Sequence, residues 1–189
     1  MAKEKSLLST YMSATTSKKI DLLFDHYGDF MGIIDGYTEG IRYRIQSDKD
    51  CKRRSEMGNL GVRVQGGGIK SDPTANMAIS NIVTREAIVN CDFSGDMFED
   101  VDELEFYAKE AYTLKQMRMD YELLVSQLGI LGKYRKAYVQ YLEGDFCVVD
   151  LTTEWGMSYE AAKTKIKRFR KMLKDQMLNF MDEKMEGVA

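Results

Sequence analysis

Hydrophobic side chains recur at steps of three and four residues over two long stretches of the chain. The first stretch contains Ile20, Leu23, Tyr27, Phe30, Ile34, Tyr37 and Ile41. This spacing places side chains on one stripe of a helix, so a long helix is predicted. Within it, glycines recur at every fourth position, at 28, 32, 36 and 40. Each glycine lowers helix propensity by about 1 kcal/mol relative to alanine, so the pattern also indicates a break or the close approach of another helix.

The second stretch predicts another long helix, or an antiparallel coiled coil formed with the earlier one. Its apolar positions are Val101, Leu104, Ala108, Ala111, Leu114, Met117, Tyr121, Leu124 and Leu128. The chain of 189 residues contains one proline, which favours helices over a turn-rich sheet protein. The expected fold class is therefore all-α, with long amino-terminal helices.

Between these stretches the periodicity disappears, and glycines and charged residues dominate. We expect a flexible loop over residues 47–71, open to proteolysis, with a short strand at 62–65. A phosphate-binding loop needs glycine directly before Lys-Ser, but Ile69 stands there, so nucleotide binding is disfavoured. Asp72 suits an N-cap and Pro73 the first helical position, so a helix is predicted over 74–89.

Three shorter helices are predicted near the carboxyl end, at 134–142, at 147–155 and from Ser158 onward. Gly144 and Gly156 end the first two, and Ser158 suits an N-cap for the third. The tight turn between the last two predicts a helix-turn-helix. The expected buried stripe of the third helix is Ala162, Ile166, Phe169 and Leu173.

Charge is distributed unevenly along a chain whose net charge is only −3. Residues 92–110 contain eight acidic side chains against Lys109 alone, whereas residues 158–174 contain seven basic side chains against Glu160 alone. An acidic chain with one basic helix predicts a polyanion site confined to that helix. With the preceding turn, this pattern favours double-stranded DNA as the partner.

The geometry of a recognition helix divides the candidate DNA contacts into two sets. The base-facing set is Tyr159, Glu160, Lys163, Thr164 and Lys167. The phosphate-contacting set is Lys165, Arg168, Arg170, Lys171 and Lys174.

The stretch YLEGDFCVVDLTTEWGMSYEAAKTKIKRFRKML resembles the helix-turn-helix of the fourth conserved region of bacterial sigma factors. The matching positions are Trp155, Gly156, Met157, Ser158, Ala162, Lys163, Ile166, Arg168 and Arg170. Two features depart from that pattern: the segment from Gly144 to Leu151 is one residue longer, and Thr152 replaces a small residue under the turn. A complete sigma factor is disfavoured because the aromatic segment that melts the start site is not found.

The stretch GGGIKSDPTANMAIS is similar to the Gly-rich loop of the ArpU/RinA-type phage transcriptional regulators. That family joins a helical amino-terminal part to a sigma-like helix-turn-helix. The resemblance implies a phage or prophage activator of late genes that controls packaging, structural or lysis functions.

Together these features predict an interaction and oligomerisation region over residues 1–127 and a DNA-binding domain over 128–189. The first region would form a homodimer or contact RNA polymerase. Two other functions remain open: a DNA-binding packaging component such as a small terminase subunit, and an interaction protein whose basic helix binds an acidic partner. A large ring would favour packaging, whereas a monomer or dimer would favour transcription.

Other classes of protein lack support in the sequence. His26 is the only histidine and has no nucleophile motif nearby, so we expect no enzyme, no catalytic residue and no cofactor. Cys51, Cys91 and Cys147 are widely spaced, so neither a disulfide nor a metal site is expected. No apolar run is long enough to cross a membrane, and a cytoplasmic protein is expected.

Overall fold

The computed structural model describes residues 6–57, 73–95, 98 and 101–186, and it confirms the all-α class. No strand occurs within these residues. The α-helices are α1 (Leu7–Ser13), α2 (Thr16–Asp25), α3 (Phe30–Met57), α4 (Pro73–Asn90), α5 (Leu104–Gln127), α6 (Arg135–Glu143), α7 (Val148–Trp155) and α8 (Tyr159–Glu186). A 3₁₀ helix, Leu128–Tyr134, connects α5 to α6.

The glycine-containing helix is broken once, between α2 and α3. The backbone N–H of His26 still donates to Leu22, and a turn then brings the N–H of Asp29 to the carbonyl of His26 at 3.1 Å. Gly28 lies in this turn, where a Cβ atom would stand 3.1 Å from the backbone of Glu143. The close approach therefore occurs at Gly28, whereas the glycines at 32, 36 and 40 have open space around them.

The predicted loop at 47–71 begins too early, because α3 continues to Met57. In this last part of α3, the apolar stripe ends, and polar and aromatic contacts stabilise the helix instead. The Tyr107 hydroxyl donates to Asp48 at 2.8 Å, and the Lys49 ammonium lies 5.2 Å from the centre of the Phe98 ring. Residues 58–72, with the predicted strand at 62–65, lie outside the described residues.

The two helices predicted after this region, α4 and α5, are confirmed. Helix α4 begins at Pro73, which suits the first turn because proline lacks the N–H that the helix would leave unpaired there. The Asp72 N-cap lies outside the described residues. Helix α5 covers most of the second apolar stripe.

The described chain divides into two compact units. The first joins the described residues of 1–33 to those of 116–189, and the second comprises the described residues of 34–115. The boundary predicted at 127/128 falls inside the first unit, so α1 and α2 belong with the carboxyl-terminal helices. The functional division at that point and the coiled coil both stay predictions.

A buried tyrosine–carboxylate pair ties α1 to α5 in the first unit. The Tyr11 hydroxyl donates to Asp120 at 2.6 Å, and both side chains are buried. Gln116 donates to the other carboxylate oxygen at 2.6 Å. Burial, together with the neighbouring Asp120 charge, raises the pKa of Tyr11, so its hydroxyl stays a donor. Around this pair, Phe30 stacks on Tyr121 with ring centres 5.6 Å apart.

In the second unit, polar contacts join α3 to α4 and α5 in addition to a buried apolar core that includes Ile41, Ile45 and Ile88. Arg42 of α3 donates to Asn81 of α4 at 2.8 Å, and Arg85 of α4 lies 3.1 Å from Glu39. Arg44 of α3 pairs with Glu110 of α5. Several apolar side chains of α4 are exposed: Met77, Ile79, Ile82 and Val83.

Replacing Tyr11 by Phe should lower the free energy of unfolding by about 1–3 kcal/mol, because the buried Asp120 carboxylate loses a hydrogen-bond donor. Urea unfolding followed by circular dichroism measures this loss. Tyr112 is 65% exposed, so Tyr112→Phe is the matched control and should change stability by less than about 0.5 kcal/mol. Equal effects of the two substitutions would contradict the role of the pair.

Candidate nucleic-acid interface

Two left-handed glycines set the ends of the helices that precede α8. Helix α6 ends at Gly144, with φ 87°, and α7 ends at Gly156, with φ 62°. Only glycine adopts this conformation without steric cost, so both predicted ends are confirmed and have a local cause. At the start of α7, the backbone N–H of Cys147 donates to Asp150 at 2.8 Å. Hydrogen bonding to Cys147, through its side chain and then its backbone, lowers the pKa of Asp150.

The turn between α7 and α8 is short and has its own hydrogen bonds. The N–H of Met157 donates to the carbonyl of Thr152 at 3.1 Å, and the Ser158 hydroxyl accepts from the N–H of Ala161 at 3.4 Å. Thr152 occupies the position where the sigma-factor pattern has a small residue. Its hydroxyl donates a hydrogen bond to the carbonyl of Val149 at 2.7 Å. Its polar atom is therefore satisfied within α7, and the turn still closes.

An aromatic cluster fixes α8 against α6 and α7. The centre of the Phe169 ring lies 5.8 Å from that of Tyr134, 5.5 Å from Tyr138 and 5.9 Å from Trp155. Aromatic pairs at such distances and tilted orientations are attractive beyond the area that they bury. Ala162 and Leu173 are fully buried on the same side of α8, so the predicted inward stripe is confirmed at these positions.

The predicted base-facing residues all lie on the exposed side of α8, in its first half. The set is Tyr159, Glu160, Lys163, Thr164 and Lys167. Tyr159 is 47% exposed, and the Lys163 ammonium lies 5.4 Å from the centre of its ring. The structure brings these five side chains together on one surface at the start of the helix. Their contact with bases stays a prediction.

The predicted phosphate-contacting residues do not share one environment. Arg168 and Lys171 are exposed. Lys165 is half-buried, and its ammonium lies 3.5 Å from the centre of the Tyr134 ring. Hydrogen bonding from Lys165 lowers the pKa of Tyr134. Lys165 is therefore directed toward α6, away from the base-facing side chains.

Arg170 and Lys174 are engaged by acidic side chains of α2. The Arg170 guanidinium lies 2.8 Å from Asp25, and the Lys174 ammonium lies 2.7 Å from Asp21. The Arg170 guanidinium also lies 5.0 Å from the centre of the Phe24 ring. Two of the five cations assigned to phosphates therefore have partners within the protein, and their contact with DNA stays a prediction.

Sequence reasoning missed these two acidic partners, although a signal was present. Asp21 and Asp25 are spaced by four residues on α2, and Lys174 and Arg170 are spaced by four residues on α8. Residues four apart share a helix face, so the two pairs can meet when the helices run antiparallel. Nothing in the local sequence brings α2 to α8, which is why only the fold reveals the match.

In the part of the chain that the structure describes, no group of His, Cys, Asp and Glu could hold a metal ion, and no helix is long and apolar enough to cross a membrane. No protein-family model matches the chain, and no curated protein or solved structure does so either.

Replacing Gly156 by Ala should destabilise the protein by about 1–2 kcal/mol, because a Cβ atom is strained in the left-handed conformation. Gly36→Ala is the matched control, since it adds the same methyl group to the exposed interior of α3, where open space surrounds the new atom. That control should stabilise the protein by about 1 kcal/mol. Urea unfolding of both variants measures the difference, and the same sign of effect in both would contradict the turn geometry.

Proposed function

We propose that the chain is a sequence-specific DNA-binding regulator of transcription, with residues 158–174 of α8 in the major groove. The single observation that carries the proposal is the first half of α8, where basic and polar side chains lie exposed together directly after a tight turn. A helix that follows such a turn can enter the major groove with its amino-terminal residues toward the base edges.

The exposed side chains match the donors and acceptors of base edges. Lys163 and Lys167 can donate to the O6 and N7 atoms of guanine, and Glu160 can accept from the amino group of cytosine. Thr164 can donate, accept or contact a thymine methyl group. This mixture of charged and neutral groups supports base recognition in addition to attraction to phosphates.

Arg168 and Lys171 are the strongest candidates for phosphate contacts. Both are exposed, and neither forms an ion pair among the described residues. Arg170 and Lys174 would instead hold α8 against α2 through their aspartate partners. In this proposal they position the helix, and their contribution to DNA binding is smaller than their charge suggests.

The wider biological setting follows the family resemblance. A phage or prophage activator of late genes would act in the cytoplasm, as a homodimer or with RNA polymerase. The exposed apolar side chains of α4 support a role in protein contacts, because exposed apolar patches mark interaction sites.

Fluorescence anisotropy with a duplex from the neighbourhood of the gene and with a scrambled duplex, over a series of salt concentrations, tests the proposal. We expect a preference for the native duplex that persists as salt rises, because base contacts are less salt-sensitive than phosphate contacts. Light scattering on the same sample gives the subunit number. Equal, salt-sensitive binding by a large ring would favour a packaging component, and no binding would overturn both functions.

Lys163→Ala and Lys167→Ala should each reduce the preference for the native duplex by about 1–3 kcal/mol if the lost contact is a bidentate hydrogen bond to a base edge. Lys171→Ala should instead weaken binding to both duplexes and reduce the slope of log affinity against log salt by about one. Lys18→Ala, on the exposed surface of α2, is the control for loss of one positive charge. Equal losses on both duplexes in all variants would reassign the two base-facing lysines to phosphate contacts.

The double substitution Asp21→Asn with Asp25→Asn tests the role of Arg170 and Lys174. Their ion pairs are partly exposed, so each should contribute about 0.2–1 kcal/mol to stability. If the released cations then reach phosphates, the salt dependence of DNA binding should become steeper. An unchanged salt slope, with weaker sequence preference, would assign them to positioning α8.

A further inference from the structure

A cavity with a basic rim lies at the start of α6, in the first unit. Its volume is about 520 Å³. This cavity is a depression open to the surface, lined by the buried Tyr27, by Val139 and by the exposed Lys133, Arg135 and Lys136, and these three cations are called its rim. An apolar floor with a charged rim is typical of sites that take an aromatic or aliphatic group carried by an anionic segment.

The three cations of the rim are not neutralised within the protein. Among the residues that the structure describes, none of the three forms an ion pair, whereas Arg170 and Lys174 in the same unit are matched by aspartates. The Lys133 ammonium lies 5.2 Å from the centre of the Tyr134 ring. Three unpaired positive charges around one opening attract an anionic partner.

This rim lies away from the base-facing surface of α8. Lys165 points to Tyr134, which directly precedes Arg135 at the start of α6. Lys163 and Lys167 are each two residues from Lys165, and two residues correspond to about 200° around a helix. The base-facing lysines therefore point to the other side of α8, and DNA in the proposed position does not fill the cavity.

The second unit carries a surface of opposite charge. Asp102 and Glu103 lie exposed in the turn that precedes α5, and Glu105 lies exposed in its first turn. Phe106, next to these carboxylates, is 48% exposed. We call these four residues the acidic turn. The acidic turn supplies negative charge, which the cavity lacks, beside an exposed aromatic ring.

We propose that the acidic turn of a second copy of the chain docks on the basic cavity at the start of α6, with Phe106 against its apolar floor. Every copy carries one cavity and one acidic turn. The contact is therefore repeated twice in a pair related by a two-fold axis, around a closed ring, or along an open chain. The inference concerns self-association and does not depend on DNA binding.

Size-exclusion chromatography with light scattering, at about 20 mM and about 500 mM salt, tests the proposal. The wild-type protein should associate at low salt and dissociate at high salt, because the contact depends on opposite charges. Two charge reversals, Lys133→Glu with Lys136→Glu, should raise the dissociation constant for self-association at least about tenfold. Glu103→Lys with Glu105→Lys should do the same.

A mixture of the two charge-reversal variants shows whether each lost association through a broken interface or through loss of folding. An equimolar mixture of the two double variants should associate, because the reversed cavity then meets a reversed acidic turn. Lys163→Glu with Lys167→Glu is the matched control, since it makes the same change in charge on the base-facing surface. That control should abolish DNA binding and leave self-association unchanged.

Three results would overturn the proposal. One is a wild-type protein that is monomeric at both salt concentrations, and another is self-association that neither charge reversal weakens. The third is a cavity variant that associates normally but loses DNA binding as fully as the base-facing control, which would assign the rim to phosphates. Failure of DNA binding in the wild-type protein would overturn the proposed function alone.

Discussion

The packing of Phe169 against Tyr134, Tyr138 and Trp155 sets the orientation of α8, and the candidate interface depends on that orientation. The Phe169 ring of α8 contacts Tyr138 of α6, Tyr134 directly before α6, and Trp155 of α7. The ring centres are 5.5–5.9 Å apart. A helix that is fixed at its middle presents its first half in one direction only. Gly156 then allows α7 to end close enough to α8 for this packing, since its φ of 62° turns the chain within a few residues.

Electrostatic contacts complete the support of α8 further along the helix. Asp21 and Asp25 pair with Lys174 and Arg170, so α2 packs beside α8 at residues 170–174, after the base-facing set. The positive charge that stays available is consequently concentrated at Lys163, Lys167, Arg168 and Lys171. Residues 158–174 contain seven basic side chains, and these have different surroundings in the fold. Lys165 illustrates this best, because its ammonium lies over an aromatic ring instead of facing solvent.

The features that could be predicted are those with a local cause. Pro73 at the start of α4 and the glycines that end α6 and α7 act through backbone conformation at single positions, so their helix ends follow from sequence. The error at residues 47–57 has a non-local cause, since Asp48 and Lys49 are held by Tyr107 and Phe98 from distant parts of the chain. The pairing of Asp25 with Arg170 joins residues 145 positions apart, and only the fold brings them together. The exposure of the base-facing set could be predicted, because helix periodicity places these side chains opposite the buried stripe, and their contact with bases stays a prediction.

In the proposed complex, the first half of α8 contacts base edges in the major groove. Dimethyl sulfate protection on the bound native duplex tests this contact most directly, because the reagent methylates guanine N7 in the major groove and adenine N3 in the minor groove. Guanine N7 atoms are acceptors that Lys163 and Lys167 can reach only from the major groove. The account predicts a short run of protected guanines that loses its protection in the Lys163→Ala with Lys167→Ala variant. Protection of adenine N3 alone, or guanine protection that persists in this variant, would contradict it.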